Sequence, residues 1–309
     1  MSLAFVFPGQ GAQSVGMMQG FDGLTVVRET FAEASDILGQ DLWQMVTAGP
    51  VEELNLTANT QPVMLTAGVA VYRAWNASHG AKPVAMAGHS LGEYTALVAA
   101  GSLAFADALP LVRYRAKVMQ EAVAEGVGGM AAILGLDDDA VRAVCAEAAQ
   151  GEVLEAVNFN SPGQVVIAGH KSAVERGMEA AKAKGAKRAL PLPVSVPSHC
   201  ALMRPAAEAL GHYLQSVPVA APQIPVLHNA DVKSYADGVA IRDALVRQLY
   251  SPVRWVETVK ELAAQGVTKL AECGPGKVLA GLNKRIEANM QVFALTDEAA
   301  LQQAADALK

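Results

Sequence analysis

Short apolar runs alternate along this chain with longer segments in which apolar residues recur at helical spacing. Apolar runs typical of buried strands lie at residues 3–7, 84–87, 225–229, 268–273 and 291–295. Helical spacing is found at residues 25–38, 61–77, 93–100, 105–124, 203–215 and 239–250. Because strands and helices alternate, we expect an α/β fold with a mostly parallel sheet and helices on both faces.

The pattern changes between residues 125 and 195. Strands are predicted at residues 129–134, 153–159, 164–168 and 187–192, and helices at residues 138–149 and 171–184. The order β-α-β-β-α-β is that of a ferredoxin-like unit, and about seventy residues are enough for a small domain. The prediction is therefore a large domain over residues 1–124 and 196–309, with a small ferredoxin-like domain over residues 125–195 inserted into it.

Composition and charge narrow the class of protein. Of the 309 residues, 52% are hydrophobic and 17% are charged, which favours a large core and argues against disorder. The net charge of −6 gives no support for nucleic-acid binding. Three cysteines without paired spacing argue against disulfides and a cysteine-rich zinc site, and the sequence contains no apolar run of membrane-spanning length. We therefore expect a cytoplasmic protein.

The segment Gly88-His89-Ser90-Leu91-Gly92 lies between a predicted strand and a predicted helix. This is the context of a nucleophile elbow, in which a sharp turn exposes the serine hydroxyl. Glycines on both sides avoid clashes where strand and helix crowd together. The helix start leaves the Leu91 N–H free for an oxyanion. The alternative is a glycine-rich turn with a buried serine.

A serine nucleophile needs a base, which is normally a histidine. The candidates are His79, His89, His170, His199, His212 and His228. His199 is the first choice because it lies in a proline-containing loop that re-enters the large domain, and His228 is the second. The ring of His89 is expected to point away from Ser90, and the other three are expected at the surface. No acid between Ser90 and His199 follows a predicted strand, so the hydrolase pattern fits poorly.

Five segments together carry a family resemblance. They are Phe7-Pro8-Gly9-Gln10-Gly11-Ala12-Gln13, Gly88-His89-Ser90-Leu91-Gly92-Glu93-Tyr94, Asn158-Phe159-Asn160-Ser161-Pro162-Gly163-Gln164, Val196-Pro197-Ser198-His199 and Glu272-Cys273-Gly274-Pro275-Gly276. With them the chain resembles, over its whole length, the malonyl-CoA:acyl carrier protein transacylases of bacterial fatty acid synthesis. The resemblance implies an α/β-hydrolase-like large domain with a ferredoxin-like insertion.

The resemblance also implies roles for residues at the elbow and around it. Ser90 would be the nucleophile, and His199 its general base and then the acid for the leaving thiolate. The backbone carbonyl of Gln248 would orient the histidine in place of a triad acid. The backbone N–H groups of Gln10 and Leu91 would form the oxyanion hole. With His199 as the base, we expect acylation to follow a group near the histidine reference pKa of ~6.5.

Arg115 would bind the free carboxylate of the malonyl group. A guanidinium can form two parallel hydrogen bonds to a carboxylate, which lysine cannot reproduce. Without the resemblance, Arg115 would be an ordinary exposed helix residue, since Arg113 and Lys117 are equally charged. Pro110 is expected to kink or restart the helix that carries them. Gln61 is expected to line the pocket, although a polar residue at a helix start explains it equally well.

The expected reaction is a two-step malonyl transfer from malonyl-CoA to the phosphopantetheine thiol of acyl carrier protein, with no metal or redox cofactor. The alternatives are a serine hydrolase or thioesterase, and a catalytically silent module that binds acyl carrier protein. We expect a monomer with no membrane or nucleic-acid partner. Because acyl carrier proteins are acidic, Lys182, Lys184, Lys187 and Arg188 are candidates for the docking surface. The alternative for these four residues is a solvated helix end.

Overall fold

The computed structural model describes residues 2–78, 80–194 and 196–308. Its strands are β1 (Leu3–Phe7), β2 (Ala85–Gly88), β3 (Gly128–Leu134), β4 (Leu154–Ser161), β5 (Gln164–His170), β6 (Arg188–Pro191), β7 (Val226–Leu227), β8 (Lys269–Cys273) and β9 (Gln291–Leu295). Its α-helices are α1 (Thr25–Leu38), α2 (Leu42–Ala48), α3 (Val51–Asn55), α4 (Thr57–Ala77), α5 (Gly92–Ala99), α6 (Phe105–Glu121), α7 (Asp138–Ala149), α8 (Lys171–Ala183), α9 (Arg204–Leu214), α10 (Gly238–Gln248), α11 (Trp255–Ala264), α12 (Val278–Ile286) and α13 (Glu298–Ala307). Strands and helices alternate over most of the chain, as the sequence predicts.

The larger sheet is parallel, with the strand order β7-β2-β1-β8-β9. Every residue of β1 and β8 is buried, because helices cover both faces of the sheet. Alternate residues of β1 enter different cores: Phe5 and Phe7 belong to one, Ala4 and Val6 to the other. The expected mostly parallel sheet is confirmed. Its central strands β1 and β2 end side by side, with Phe7 opposite Gly88.

The smaller sheet is antiparallel, with the strand order β4-β5-β3-β6. Helices α7 and α8 pack against each other and share an apolar cluster with the sheet. This is the ferredoxin-like order that the sequence predicts. A backbone bond from Phe159 N to Val253 O, 3.0 Å long, joins this unit to the rest of the chain. The domain boundaries at 125 and 195 stay a prediction, and Ser195 lies outside the described residues.

Several helices differ from the prediction. Helix α4 begins four residues earlier than expected and contains Pro62, and α6 is one helix with Pro110 inside it. Of the two alternatives expected at Pro110, a restart or a kink, the restart is wrong: Leu109 and Leu111 are fully buried, and this packing offsets the lost backbone hydrogen bond. Helices α2 and α13 were not predicted. The start of α13 carried a readable signal, since the Asp297 carboxylate caps it.

Candidate active site

The turn between β2 and α5 is the predicted elbow. Ser90 sits in it with φ = 51°, a left-handed conformation that residues other than glycine rarely adopt. A Cβ on Gly88 would lie 1.9 Å from the Gly92 carbonyl carbon, and one on Gly92 would lie 2.0 Å from the Phe7 oxygen. Both positions therefore require glycine. The close approach of strand and helix that they allow lifts the serine above the end of the sheet.

Ser90 and His199 form a hydrogen-bonded pair. Ser90 Oγ lies 2.8 Å from His199 Nε2, and His199 Nδ1 lies 2.8 Å from the backbone oxygen of Gln248. Because a carbonyl only accepts, Nδ1 carries the proton and Nε2 presents its lone pair to the serine hydroxyl. The arrangement is a nucleophile and base whose orienting group is a neutral carbonyl instead of a carboxylate.

Burial sets the protonation state of His199. Burial, and after it the charge of Arg115, lower its pKa from 6.5 to about 3, although the hydrogen bond to the Gln248 carbonyl acts in the opposite direction. The imidazole is therefore neutral at physiological pH and free to take a proton. The expected titration near the histidine reference value is wrong for the free enzyme, because the sequence did not reveal that the ring is buried.

Arg115 reaches the same point from helix α6. Its side chain is 1% exposed, and its Nη2 lies 3.3 Å from Ser90 Oγ. Nη1 donates to Gln61 Oε1 at 2.8 Å, and Nη2 donates to Gln248 Oε1 at 2.9 Å. Within the described residues Arg115 forms no ion pair, and its Nε has no acceptor. A buried guanidinium without a carboxylate partner, beside a nucleophile, is suited to an anionic ligand.

The neighbouring cations on α6 are placed differently. Arg113 donates to the Leu38 carbonyl and to the Gln40 side chain, away from the cavity. Lys117 is exposed and lies 3.9 Å from Glu121. Burial therefore distinguishes Arg115 from its equally charged neighbours, and the alternative of an exposed helix arginine is wrong for it.

A cavity of about 200 Å³ opens in front of these groups, between the two sheets. Ser90, His199 and Arg115 line it on one side, and Met130 and Val166 of the smaller sheet line it on the other. Gln61 does not line it: it lies behind Arg115 and accepts a hydrogen bond from the guanidinium. The expectation that Gln61 lines the pocket is therefore wrong, and its contact with the site is the hydrogen bond to Arg115.

The oxyanion-hole candidates lie at the same end of the sheet. Gln10 follows β1, Leu91 follows Ser90, and both line the cavity. The loop carrying Gln10 packs tightly on the elbow, since a Cβ on Gly9 would lie 2.5 Å from the His89 oxygen. Across the described parts of the chain, neither backbone N–H has an acceptor. Both donors are available to a developing negative charge.

Of the histidines that the structure describes, His199 is the one hydrogen-bonded to the Ser90 hydroxyl. His89 is held by Asn160, with 2.8 Å between Nε2 and Oδ1, and turns away from the hydroxyl as expected. His228 is a buried core residue, 2.6 Å from Glu93. His212 is exposed as expected, whereas His170 is half-buried, and its Nδ1 accepts a hydrogen bond from the Val153 N–H. His79 lies outside the described residues.

Sequence reasoning missed three polar groups beneath the elbow. Asn229 accepts the Ser90 N–H at 2.7 Å and donates to the Gly88 carbonyl at 2.6 Å. The Gln248 side chain donates to the Ser90 carbonyl at 2.9 Å and to Glu93 at 3.0 Å. Glu93 is the one charged residue in an otherwise uncharged helix, and this signal could have identified it.

Residues 2–78, 80–194 and 196–308 contain no cluster of three or more His, Cys, Asp or Glu side chains arranged to hold a metal ion. None of the helices formed by these residues is long and apolar enough to cross a membrane.

The fold and the site define an α/β protein with a serine–histidine pair suited to acyl transfer. The model of the family described as acyl transferase domain matches residues 4–296. The malonyl CoA-acyl carrier protein transacylase of Salmonella typhimurium is 60% identical over 302 residues, which cover 97% of this chain and 98% of the relative. That of Bacillus subtilis is 43% identical over 309 residues, covering 99% of this chain and 97% of the relative. The chain belongs to the malonyl CoA-acyl carrier protein transacylase family of acyltransferases.

Solved structures agree with this assignment. The acyl-carrier-protein S-malonyltransferase of Burkholderia pseudomallei superposes with a TM-score of 0.98 at 62% identity, covering 99% of this chain and 100% of that one. A malonyl-transacylase solved in complex with a type II PKS acyl-carrier protein superposes with a TM-score of 0.98 at 55% identity, with the same coverage. At these identities the α/β-hydrolase-like fold with its small domain is shared.

Proposed function

We propose that this enzyme transfers the malonyl group of malonyl-CoA to the phosphopantetheine thiol of acyl carrier protein, through a malonyl ester of Ser90. One observation carries the proposal. The Ser90 hydroxyl lies at once 2.8 Å from a neutral histidine nitrogen and 3.3 Å from a buried guanidinium without a carboxylate partner. The names of the relatives, and the complex of one of them with an acyl-carrier protein, support the same reaction and partner.

In the first half-reaction, Ser90 Oγ attacks the thioester carbonyl carbon while His199 Nε2 takes the hydroxyl proton. The carbonyl oxygen becomes an oxyanion, which the N–H groups of Gln10 and Leu91 stabilise; such a donor is typically worth about 10²–10³ in rate. The tetrahedral intermediate then collapses, the C–S bond breaks, and the CoA thiolate takes the proton from His199.

The second half-reaction reverses these roles. The phosphopantetheine thiol gives its proton to His199 Nε2, and its sulfur attacks the ester carbonyl of malonyl-Ser90. The C–O bond breaks, and Ser90 recovers the proton from the imidazolium. The Gln248 carbonyl holds the same tautomer throughout, although it stabilises the imidazolium less than a carboxylate would.

Arg115 selects the acyl group. The malonyl carboxylate lies next to the reacting carbonyl, so a guanidinium close to Ser90 can hold it during attack. Serine, histidine and arginine supply each step, and we infer that the reaction needs no metal or redox cofactor. The buried, unpaired thiols of Cys145, Cys200 and Cys273 fit a reducing compartment, and we propose that the enzyme acts in the cytoplasm.

Partition of the acyl group between thiol and water tests the proposal. Enzyme, malonyl-CoA and holo acyl carrier protein are mixed, and malonyl-carrier and free malonate are both measured. Malonyl-carrier should be the main product. If free malonate predominates with the carrier in excess, the enzyme is a thioesterase and the proposal fails.

A further inference from the structure

Glu93 is a buried acid for which the proposed reaction has no use. It lies in the first turn of α5, three residues after Ser90, and its side chain is fully buried. A carboxylate in such a place is costly unless hydrogen bonds replace its lost water. The bonds that do so indicate what the residue does.

Both carboxylate oxygens of Glu93 have partners distant in sequence. Oε1 accepts from His228 Nδ1 at 2.6 Å. Oε2 accepts from the Asn229 backbone N–H at 2.9 Å and from Gln248 Nε2 at 3.0 Å. One carboxylate thus joins the elbow helix to the segment after β7 and to the end of α10.

Two of these partners touch the reacting groups. Asn229 Oδ1 holds the Ser90 N–H, and the Gln248 backbone oxygen orients His199. The Gln248 side-chain oxygen also accepts from Arg115 Nη2 at 2.9 Å. Ser90, His199 and Arg115 are therefore each one hydrogen-bonded residue away from Glu93.

We propose that Glu93 is a positioning residue, which fixes Arg115 and His199 relative to Ser90 through its hydrogen bonds to Gln248 and Asn229. The inference rests on the proposed function. A carboxylate suits the position because its two oxygens can accept all three of these bonds and charge strengthens each of them. Burial lowers the pKa of Arg115, while its interactions with Tyr94 and Glu93 raise it, so the same acid also helps to keep the guanidinium charged.

The test compares substitutions of Glu93 with a matched control. Glu93→Leu removes the acceptors at similar volume. Glu93→Gln keeps one oxygen, which can still accept from Asn229 and Gln248, while its amide faces a His228 tautomer that accepts at Nδ1. Glu272→Leu is the control, because Glu272 is equally buried and bonded to the Leu279 and Ala280 N–H groups, outside the site.

Thermal melts and the rates of Ser90 acylation by malonyl-CoA and acetyl-CoA are measured for each protein. Glu93→Leu should lower malonylation roughly 10²-fold and lower the malonyl-to-acetyl ratio, because misaiming by about 1 Å has that effect on rate. Glu93→Gln should keep a malonyl-to-acetyl ratio closer to that of the parent enzyme than to that of Glu93→Leu. Glu272→Leu should lower the melting temperature and leave the ratio unchanged. If Glu93→Leu does not fold, Glu93→Asp replaces it, since its shorter reach should also lower the ratio.

A ratio in folded Glu93→Leu or Glu93→Asp equal to that of the parent enzyme overturns the inference. So does a Gln variant as impaired as the Leu variant, or an equal fall of the ratio in the Glu272 control. The parent enzyme serves as the reference for the proposed function: if its Ser90 takes no malonyl group, the function fails, whatever the Glu93 variants do.

Discussion

The Arg115 guanidinium lies 3.3 Å from the Ser90 hydroxyl and is held there by the side chains of Gln61 and Gln248 instead of by an acid. Two neutral amide oxygens fix its direction while leaving its charge unpaired. A substrate carboxylate can therefore bind it without displacing a carboxylate of the protein. This relationship gives the site its expected preference for acyl groups that carry a carboxylate.

Replacing Arg115 by alanine should produce a crossover in substrate preference. Malonyl transfer loses a buried charged pair, worth ~3–5 kcal/mol, and should fall by roughly 10²–10⁴. Acetyl transfer should hold or rise, because the unpaired guanidinium that disfavours acetyl is gone. Arg115→Lys should also transfer malonyl slowly, since lysine keeps the charge but cannot form the two parallel hydrogen bonds of a guanidinium to the carboxylate. Acylation rates with the two CoA esters measure both effects.

Arg113→Ala is the control for this crossover. Its guanidinium bonds to Leu38 and Gln40 outside the cavity, so neither acyl preference nor rate should change much. A uniform decline with both acyl groups in Arg115→Ala would mean that Arg115 supports the fold and that malonyl is selected elsewhere.

His199→Ala should slow both half-reactions, since the ring serves as base and acid in turn. In the parent enzyme, acylation should not follow a group with a pKa near 6.5, because burial and the charge of Arg115 lower the His199 pKa to about 3. Protonation at that acid pH removes the lone pair that takes the serine proton. The pH profile of single-turnover acylation checks this. A titration near 6.5 that disappears in a folded His199 variant would contradict the buried, neutral ring.

The same shift should make stability depend on pH. The His199 pKa is lower in the folded state than its ordinary value of 6.5, so below pH 6.5 the unfolded state binds more protons. Stability should fall as pH drops from 6.5 towards 3, by at most about 1.4 kcal/mol per pH unit from this group. Denaturant unfolding at pH 7 and pH 5 should give a smaller difference for His199→Gln than for the parent enzyme. If the stability difference between pH 7 and pH 5 is the same in both proteins, the pKa of His199 is not lowered by folding.

Reversing charges on the small domain should separate the two half-reactions. Lys182 pairs with Glu179 at 2.8 Å and Lys184 with Glu147 at 2.7 Å, whereas Lys187 and Arg188 are exposed and unpaired within the described chain. Lys187→Glu with Arg188→Glu should weaken transfer to acyl carrier protein and leave acylation by malonyl-CoA unchanged. Lys182→Glu serves as the control with a smaller effect. Equal loss in both half-reactions would remove the docking hypothesis.

Local pattern was enough to predict much of the fold. The parallel sheet, the β-α-β-β-α-β unit and the elbow follow from runs of apolar residues and from the two glycines around Ser90. Pro110 was misleading because the helix-breaking tendency of proline is evident from the sequence. The burial of Leu109 and Leu111 that offsets it is seen only in the structure. Helix α13 could have been predicted from Asp297, a typical N-cap residue, but it was not.

The site was only partly predictable, because tertiary packing decides which of its polar residues are buried and which of them meet. Arg115, Arg113 and Lys117 are alike in sequence, and only tertiary packing buries the first of them. Glu93 and His228 are 135 positions apart, so their contact cannot be inferred from spacing. The roles that the family resemblance implies fall on residues that the fold brings together, with Gln61 displaced to a position behind the arginine.

Mass spectrometry of the enzyme after brief mixing with malonyl-CoA shows whether Ser90 carries the malonyl group between the two half-reactions. We expect one malonyl adduct, located on the peptide that carries Ser90, absent from Ser90→Ala, and removed when holo acyl carrier protein is added. No adduct on Ser90 in the folded parent enzyme, or an adduct that persists in Ser90→Ala, would contradict this expectation.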